Sequence, residues 1–258
     1  MVAFRLGDGQ VRLKPCKLQT SSIPTGITNL DRAMGGGLPI KSLTLIYGAA
    51  SAGKTTLILQ TSCRAALLGF KVLYIDVDGS FSPERFSLIA GKNHNSASPS
   101  ILVFQPESFN DQTVIIENLE KYVTPSVALV AVDSITTLYR AVPSTFEGRL
   151  SLNRELTRQL AYLTDLAVTH GLAVVVSSQV HSRLDQNFRF NEPVAKRTLT
   201  HWSNNIVHLT DTESSSVKEV RLERLQGREA NIVFKVKLTL EGLKDLSTVN
   251  EGSTSITA

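Results

Sequence analysis

The residues from Gly48 to Thr56, GAASAGKTT, carry the chemistry that is easiest to read in this chain. They fit the spacing G-x-x-x-x-G-K-[ST] and follow an apolar, β-branched run, Leu43 to Tyr47. A strand feeding such a loop lets the backbone curl at Gly48 and Gly53, so that N–H groups around Ala49, Ala50, Ser51 and Ala52 point inward. The helix starting near Lys54 adds partial positive charge at its N-terminus. A triphosphate suits that cradle. Lys54 reaches the β and γ phosphates as a point charge, and Thr55, followed by Thr56, is placed to ligate Mg²⁺. The plainer alternative, a glycine-rich turn with an incidental lysine, does not account for a match at every fixed position in a strand-then-helix context.

A phosphate loop needs a carboxylate at the end of a neighbouring strand to organise the cation. VALVAVDS supplies Asp133, far enough beyond the loop for two crossover units between them. An Asp at a strand end also serves simply to cap the next helix, and both readings stand at this point. Loop and carboxylate together give a fold but not a task.

The elements that must position these residues alternate along the chain. A helix is expected from Thr55 to about Leu68, then a strand over KVLYIDV. SPERFSLIAG opens a helix with a serine N-cap, proline in the first turn and glutamate behind it. ILVFQ and VALVAVD are continuous apolar runs of strand length, separated by a helical stretch from Gln112 to Tyr122. Such runs suit parallel strands covered on both faces. Leu152, Leu156, Leu160, Leu163 and Leu166 fall at helical spacing between about Leu150 and His170, ahead of the strand LAVVVSSQ. NIVHL, VKEVRLERL and ANIVFKVKL then predict short strands and an antiparallel finish.

With 258 residues and no sign of a second core, a single folded unit is expected, spanning 25–246 between an arm (1–24) and a disordered tail (247–258). No apolar run approaches the length of a membrane span, and the N-terminus lacks the apolar core of a secretion signal, so the expected location is cytoplasmic. Cys16 and Cys63 lie far apart, which argues against a metal or disulfide role. The net charge of +4 permits an anionic partner without requiring one.

TGITNLDRAMGGGLP, the phosphate loop and YIDVDGSFSPERF, together with DSITTLYR and VVVSSQV, resemble the RecA/RadA recombinase family. Within it the chain is most similar to the short archaeal RadB-like DNA repair and recombination paralogues. The resemblance covers roughly Ile23 to Leu243. It implies an α/β fold: a RecA-like P-loop ATPase core with a central, mostly parallel sheet flanked by helices and antiparallel C-terminal strands. It also implies ATP and Mg²⁺ as cofactors, with Lys54, Thr55 and Asp133 at the phosphate and metal positions. Asp78 stands where the family has a glutamate that orients the attacking water. Gln179, at a strand end, matches the glutamine that senses the γ-phosphate, and Arg85 matches an arginine that stacks on adenine. Each has an ordinary alternative: a turn-forming Asp before Gly79, a strand-end polar residue, and a surface residue of a helix.

The chain also departs from the family. The Asp78 carboxylate is one methylene short, a retraction of about 1.5 Å, and a misplacement near 1 Å costs on the order of a hundredfold in rate. Slow hydrolysis is therefore expected, dependent on DNA or not. The arm is too short for a helix-hairpin-helix domain, Phe4 is not followed by an F-x-x-A pattern, and RLQGREANIVF lacks the proline segment that caps a neighbour's ATP in filaments. These losses argue against a filament, leave a homo-oligomer open, and favour an accessory or mediator role beside a full-length RadA-type recombinase.

Two stretches stand where the family places its DNA loops. The first carries Arg140 and Arg149; the second, loop-like in composition, carries Arg183, Phe188, Arg189, Lys196 and Arg197, with Phe190 and Trp202 interleaved. Ala195 and Lys196 stand near a glycine pair of the family. Cations among aromatics suit single-stranded DNA, whose bases stack and whose phosphates pair. Packing of these aromatics on the core is the plain alternative. A rival reading from another class is a KaiC-like, ATP-dependent regulatory switch that binds no nucleic acid.

Overall fold

The apolar runs of this chain have no polar face to turn to water, so they can only lie side by side inside a covered sheet. The computed structural model describes residues 3–5, 20–143, 145–185 and 188–246. The expected tail and most of the expected arm lie outside these residues.

In chain order the first elements are β1 (Ala3–Arg5), β2 (Ser22–Ile23), α1 (Thr28–Ala33), β3 (Leu38–Pro39), β4 (Ser42–Gly48) and α2 (Lys54–Leu67). Then come β5 (Lys71–Asp76), α3 (Pro83–Ala90), α4 (His94–Ala97), β6 (Ile101–Phe104), α5 (Phe109–Glu117), β7 (Val127–Asp133) and α6 (Thr137–Ala141). The chain continues through α7 (Phe146–His170), β8 (Ala173–Asp185), β9 (Phe188–Pro193) and α8 (Lys196–Trp202). It closes with β10 (Asn205–Asp211), β11 (Val217–Leu225), β12 (Arg228–Thr239) and β13 (Gly242–Asp245).

The main sheet runs β1-β6-β5-β7-β8-β4-β10-β11-β12-β13, with β9 paired to β8 alone. From β6 to β10 every neighbour is parallel, and β10 to β13 are antiparallel, as the alternating patterns of the last strands require. All of β4 and β7 is buried, which is why their sequences are continuous apolar runs. One face of the sheet packs Ile46, Tyr74 and Val175 against Leu57, Ile58 and Phe86 of α2 and α3. The opposite face packs Leu45, Val130 and Val174 against Ile115 and Ile116 of α5 and the leucines of α7. Leu156, Leu160 and Leu163 are fully buried there, as their helical spacing predicts.

Local signals set several boundaries. Ser82 accepts the Arg85 N–H at 3.2 Å, with Pro83 in the first turn, so α3 starts where the sequence places its cap. Thr145 caps α7 through the Gly148 N–H, so the helix starts at Phe146, ahead of the expected start near Leu150. Two expectations need correction. The helix expected from Gln112 to Tyr122 is α5 from Phe109 to Glu117 followed by a separate 3₁₀ turn, because Ser108 caps it earlier through the Asp111 N–H. The stretch after Gln179 is not a loop: β8 and β9 form a hairpin whose register pairs Arg183 with Phe190 and Leu184 with Arg189. Gln179 is accordingly inside β8 rather than at its end.

Candidate functional site at the C-terminal ends of the parallel strands

The loop of residues 48–53 leaves β4 between β8 and β10. Gly48 is required there by close approach: a Cβ would lie 2.2 Å from the Leu209 carbonyl oxygen on β10. Gly53 closes the loop at φ +101°, a left-handed conformation that side chains resist. Ala50 and Ser51 are exposed, Ala49 is half-buried and Ala52 is buried. Helix α2 begins at Lys54, directly after the loop, so its first N–H groups have no intrahelical acceptor and are available to an anion there.

Lys54 is buried, and its ammonium donates to the carbonyls of Gly48 at 3.0 Å and Ala49 at 2.7 Å. Burial lowers its proton affinity, while the carboxylates of Asp133, Asp78 and Asp211 oppose that shift. An ammonium has three N–H groups, so one is left for an anion held by the loop.

Asp133 ends β7 and is 1% exposed. Its Oδ2 accepts the Tyr74 hydroxyl at 3.1 Å, and its Oδ1 accepts the Ser177 hydroxyl. The Thr55 hydroxyl lies close enough to this carboxylate to favour its charged form. Burial raises the Asp133 pKa, held back chiefly by the Ser177 and Thr55 hydroxyls, with Asp78 adding a like-charge push upward. A carboxylate and a hydroxyl are hard oxygen donors of the kind Mg²⁺ takes. Among the described residues no group of three or more His, Cys, Asp or Glu forms a ready-made cage. That donor set fits a cation that arrives with phosphates and keeps its waters. Thr55 and Asp133 would hold it, and it would neutralise charge on the phosphate oxygens.

Asp78 follows β5, exposed, with its N–H bonded to the Asp133 carbonyl at 3.2 Å. Its carboxylate is near enough to both Lys54 and Asp133 to act on them electrostatically. Asp76, two residues earlier, spends its oxygens on the Ser80 and Phe81 N–H groups and the Gln105 amide, which makes it the organiser of this turn. Arg85 on α3 reaches back to donate to the Thr56 hydroxyl in the first turn of α2. Gln179 pairs with Gly48 across β8 and β4, and its side-chain oxygen accepts from Arg140 at 2.9 Å.

Arg140 and Arg149 line an open cleft of about 300 Å³ together with Tyr139, Val194 and Ala195. The Arg149 guanidinium lies over the Tyr139 ring, 5.4 Å from its centre. Lys196 and Arg197 are exposed at the start of α8, and Lys196 pairs with Glu192 at 2.7 Å. Arg183, Phe188 and Arg189 lie on the β8–β9 hairpin, and their side chains fall outside the described residues. Trp202 is half-buried against the core, as the plain alternative held.

Sequence reasoning missed Tyr74 and Ser177, which hold Asp133. It also missed a cluster directly beneath the loop, where Tyr47 donates to both Glu223 oxygens at 2.8 Å and stacks on His208 at 4.2 Å. Burial and the Glu223 carboxylate push the Tyr47 phenol well above its usual range. The only signal available for these residues is a polar group inside an apolar strand, which must find a partner when buried.

Strand order, the loop after β4 and the carboxylate at the end of β7 define a RecA-like α/β core. The Rad51 family description matches residues 17–239. The chain is 37% identical over 227 residues to the DNA repair and recombination protein RadB of Thermococcus kodakarensis, covering 87% of this chain and 99% of that one. It is 31% identical over 215 residues to the RadB of Methanococcoides burtonii, covering 83% and 94%. A solved structure described as a crystal structure of the RadB recombinase superposes with a TM-score of 0.74 at 35% identity, over 87% of this chain and 99% of that chain. The chain thus belongs to the Rad51 family of RecA/RadA recombinases, on its RadB-like side.

Ala195 lines the cleft at φ +53° as the N-cap of α8, a left-handed conformation for a residue with a Cβ. Relief of the left-handed penalty, about 1–2 kcal/mol, exceeds the entropic cost of glycine, about 0.5–1 kcal/mol. Ala195→Gly is expected to stabilise the fold by about 0.5–1 kcal/mol in urea unfolding.

Proposed function

We propose that this chain is an ATP-binding, RecA-like DNA repair and recombination protein. In this reading it works in the cytoplasm, binds single-stranded DNA, hydrolyses ATP weakly and assists a full-length RadA-type recombinase. The observation that carries the reading is the meeting of Lys54, Thr55 and Asp133 at the ends of β4 and β7, beside a cleft flanked by Arg140 and Arg149. The RadB relatives, described as DNA repair and recombination proteins, support the repair and recombination part.

In this reading residues 48–56 cradle the triphosphate and Lys54 neutralises its β and γ oxygens. Thr55 and Asp133 carry Mg²⁺. Arg85, anchored on Thr56, borders the base. Asp78 faces the γ-phosphate as the weak orienting carboxylate. Gln179, paired with Gly48 and bonded to Arg140, ties the nucleotide end of the sheet to the cleft. Arg140, Arg149, Lys196 and Arg197 meet DNA phosphates, with Arg183, Phe188 and Arg189 of the hairpin completing the track.

Fluorescent single-stranded and duplex oligonucleotides, titrated with and without ATP·Mg²⁺ at several salt concentrations, test the DNA part. The expected result is salt-sensitive binding that favours the single strand and weakens when Arg140 and Arg149 are both changed to alanine. No binding under any nucleotide condition overturns it in favour of a protein-directed ATP switch. Asp78→Glu should raise steady-state ATP hydrolysis, by up to about a hundredfold if reach alone limits the rate; an unchanged rate removes the short carboxylate as the cause of slow turnover.

A further inference from the structure

Tyr74 lies in β5 with its side chain fully buried. Its hydroxyl is bonded to Asp133 Oδ2 at 3.1 Å, while Ser177 on β8 is bonded to Oδ1 of the same carboxylate. β5 and β8 are the two strands that flank β7, so the carboxylate is held from both sides by its neighbours in the sheet. The register places Ala131 beside Tyr74 and Asp133 beside Asp76, so the phenol reaches forward by one same-face step to the strand end. Phe81 packs edge-on against the Tyr74 ring at 5.2 Å, and Phe86 lies 6.0 Å behind Phe81. The ring is wedged, and its hydroxyl stays where the wedge puts it.

We propose that Tyr74 is a positioning residue for the candidate cation site: its hydroxyl, opposed by that of Ser177, fixes the Asp133 carboxylate so that its remaining acceptor positions face Thr55 and the phosphate loop. The proposal rests on the reading of Asp133 as the carboxylate that holds the nucleotide's divalent cation. A carboxylate offers about four acceptor positions. Two are taken by the flanking strands, and Thr55 marks the direction of the rest. The strand pairing itself does not need the phenol, because β5 and β7 are joined by a backbone ladder from Lys71 to Asp76. A phenylalanine would fill the same volume and meet the same Phe81. What the oxygen adds is a directed bond to one charged group, and loss of such an outer partner typically costs about 10–100-fold in metal affinity.

The test uses the full chain and a fluorescent ATP analogue, with affinity read in EDTA and then across a Mg²⁺ titration, beside the thermal midpoint without nucleotide. Tyr74→Phe is expected to keep the affinity seen in EDTA and to raise the Mg²⁺ concentration at half-effect by about tenfold or more. Ser177→Ala, which leaves the aromatic wedge intact, should shift the same midpoint in the same direction. If Asp133→Asn loses the Mg²⁺ effect while Tyr74→Phe and Ser177→Ala retain it unchanged, the positioning role is wrong and the cation reading stands. If Asp133→Asn also leaves the Mg²⁺ effect intact, or the unaltered chain has none, the cation reading fails and takes the proposal with it. An equal loss of affinity with and without Mg²⁺ in Tyr74→Phe marks a packing role and overturns the proposal too.

Discussion

A carboxylate buried at the end of a buried strand is the constraint on which the rest of this site depends. Leaving Asp133 unpaired at that depth would cost several kcal/mol, on the order of what a whole domain has to spare. The hydroxyls bonded to it come from separate strands, Ser177 from β8 and Tyr74 from β5, and the Thr55 hydroxyl of α2 lies near enough to favour its charge. Lys54 adds an opposite charge from the same loop. Satisfying this one group therefore fixes the order β5-β7-β8 locally and ties the start of α2 to the sheet. The register of those strands follows from the same requirement, since a slip of one residue would turn Asp133 toward the opposite face.

The loop itself is anchored from both sides of β4. Gly48 lies against Gln179 of β8 and Leu209 of β10, and the Leu209 carbonyl leaves no room for a side chain. One residue earlier, Tyr47 is locked between the His208 ring and the Glu223 carboxylate, which links the loop to the antiparallel end of the sheet. Glu223 stays a carboxylate there: burial pushes its pKa up, but hydrogen bonds from His208 and Tyr47 outweigh it and hold it below the usual range. β8 then continues past Gln179 into the hairpin with β9, so the strand that borders the loop also carries the basic segment. Among the described residues no helix is long and apolar enough to cross a membrane.

The phosphate loop was legible because its requirements are local. Glycines at fixed positions, a lysine, a threonine, a strand before and a helix after are all visible within a dozen residues of sequence. Asp133 was legible for a similar reason, as the acid ending an apolar run. Ser82 and the α7 leucines were legible through short-range capping and periodicity, whereas the Thr145 cap, which starts α7 at Phe146 rather than near Leu150, was not. Tyr74 and Ser177 were not legible, since an aromatic or a serine inside an apolar strand reads as core until strand order puts Asp133 between them. The hairpin reads as a loop in sequence because most of its residues are polar and weak strand formers, and its strand character comes from pairing with β8. Ala195 illustrates the same limit: nothing in VAKR announces a left-handed backbone.

The account stands on the claim that the loop after β4 holds a nucleotide through Lys54. Isothermal titration of ATP·Mg²⁺ into the unaltered chain and into Lys54→Ala measures this directly. Saturable binding of one nucleotide per chain, lost in Lys54→Ala with the fold intact by circular dichroism, is the predicted result. Equal binding by both proteins, or none by the unaltered chain, would contradict it.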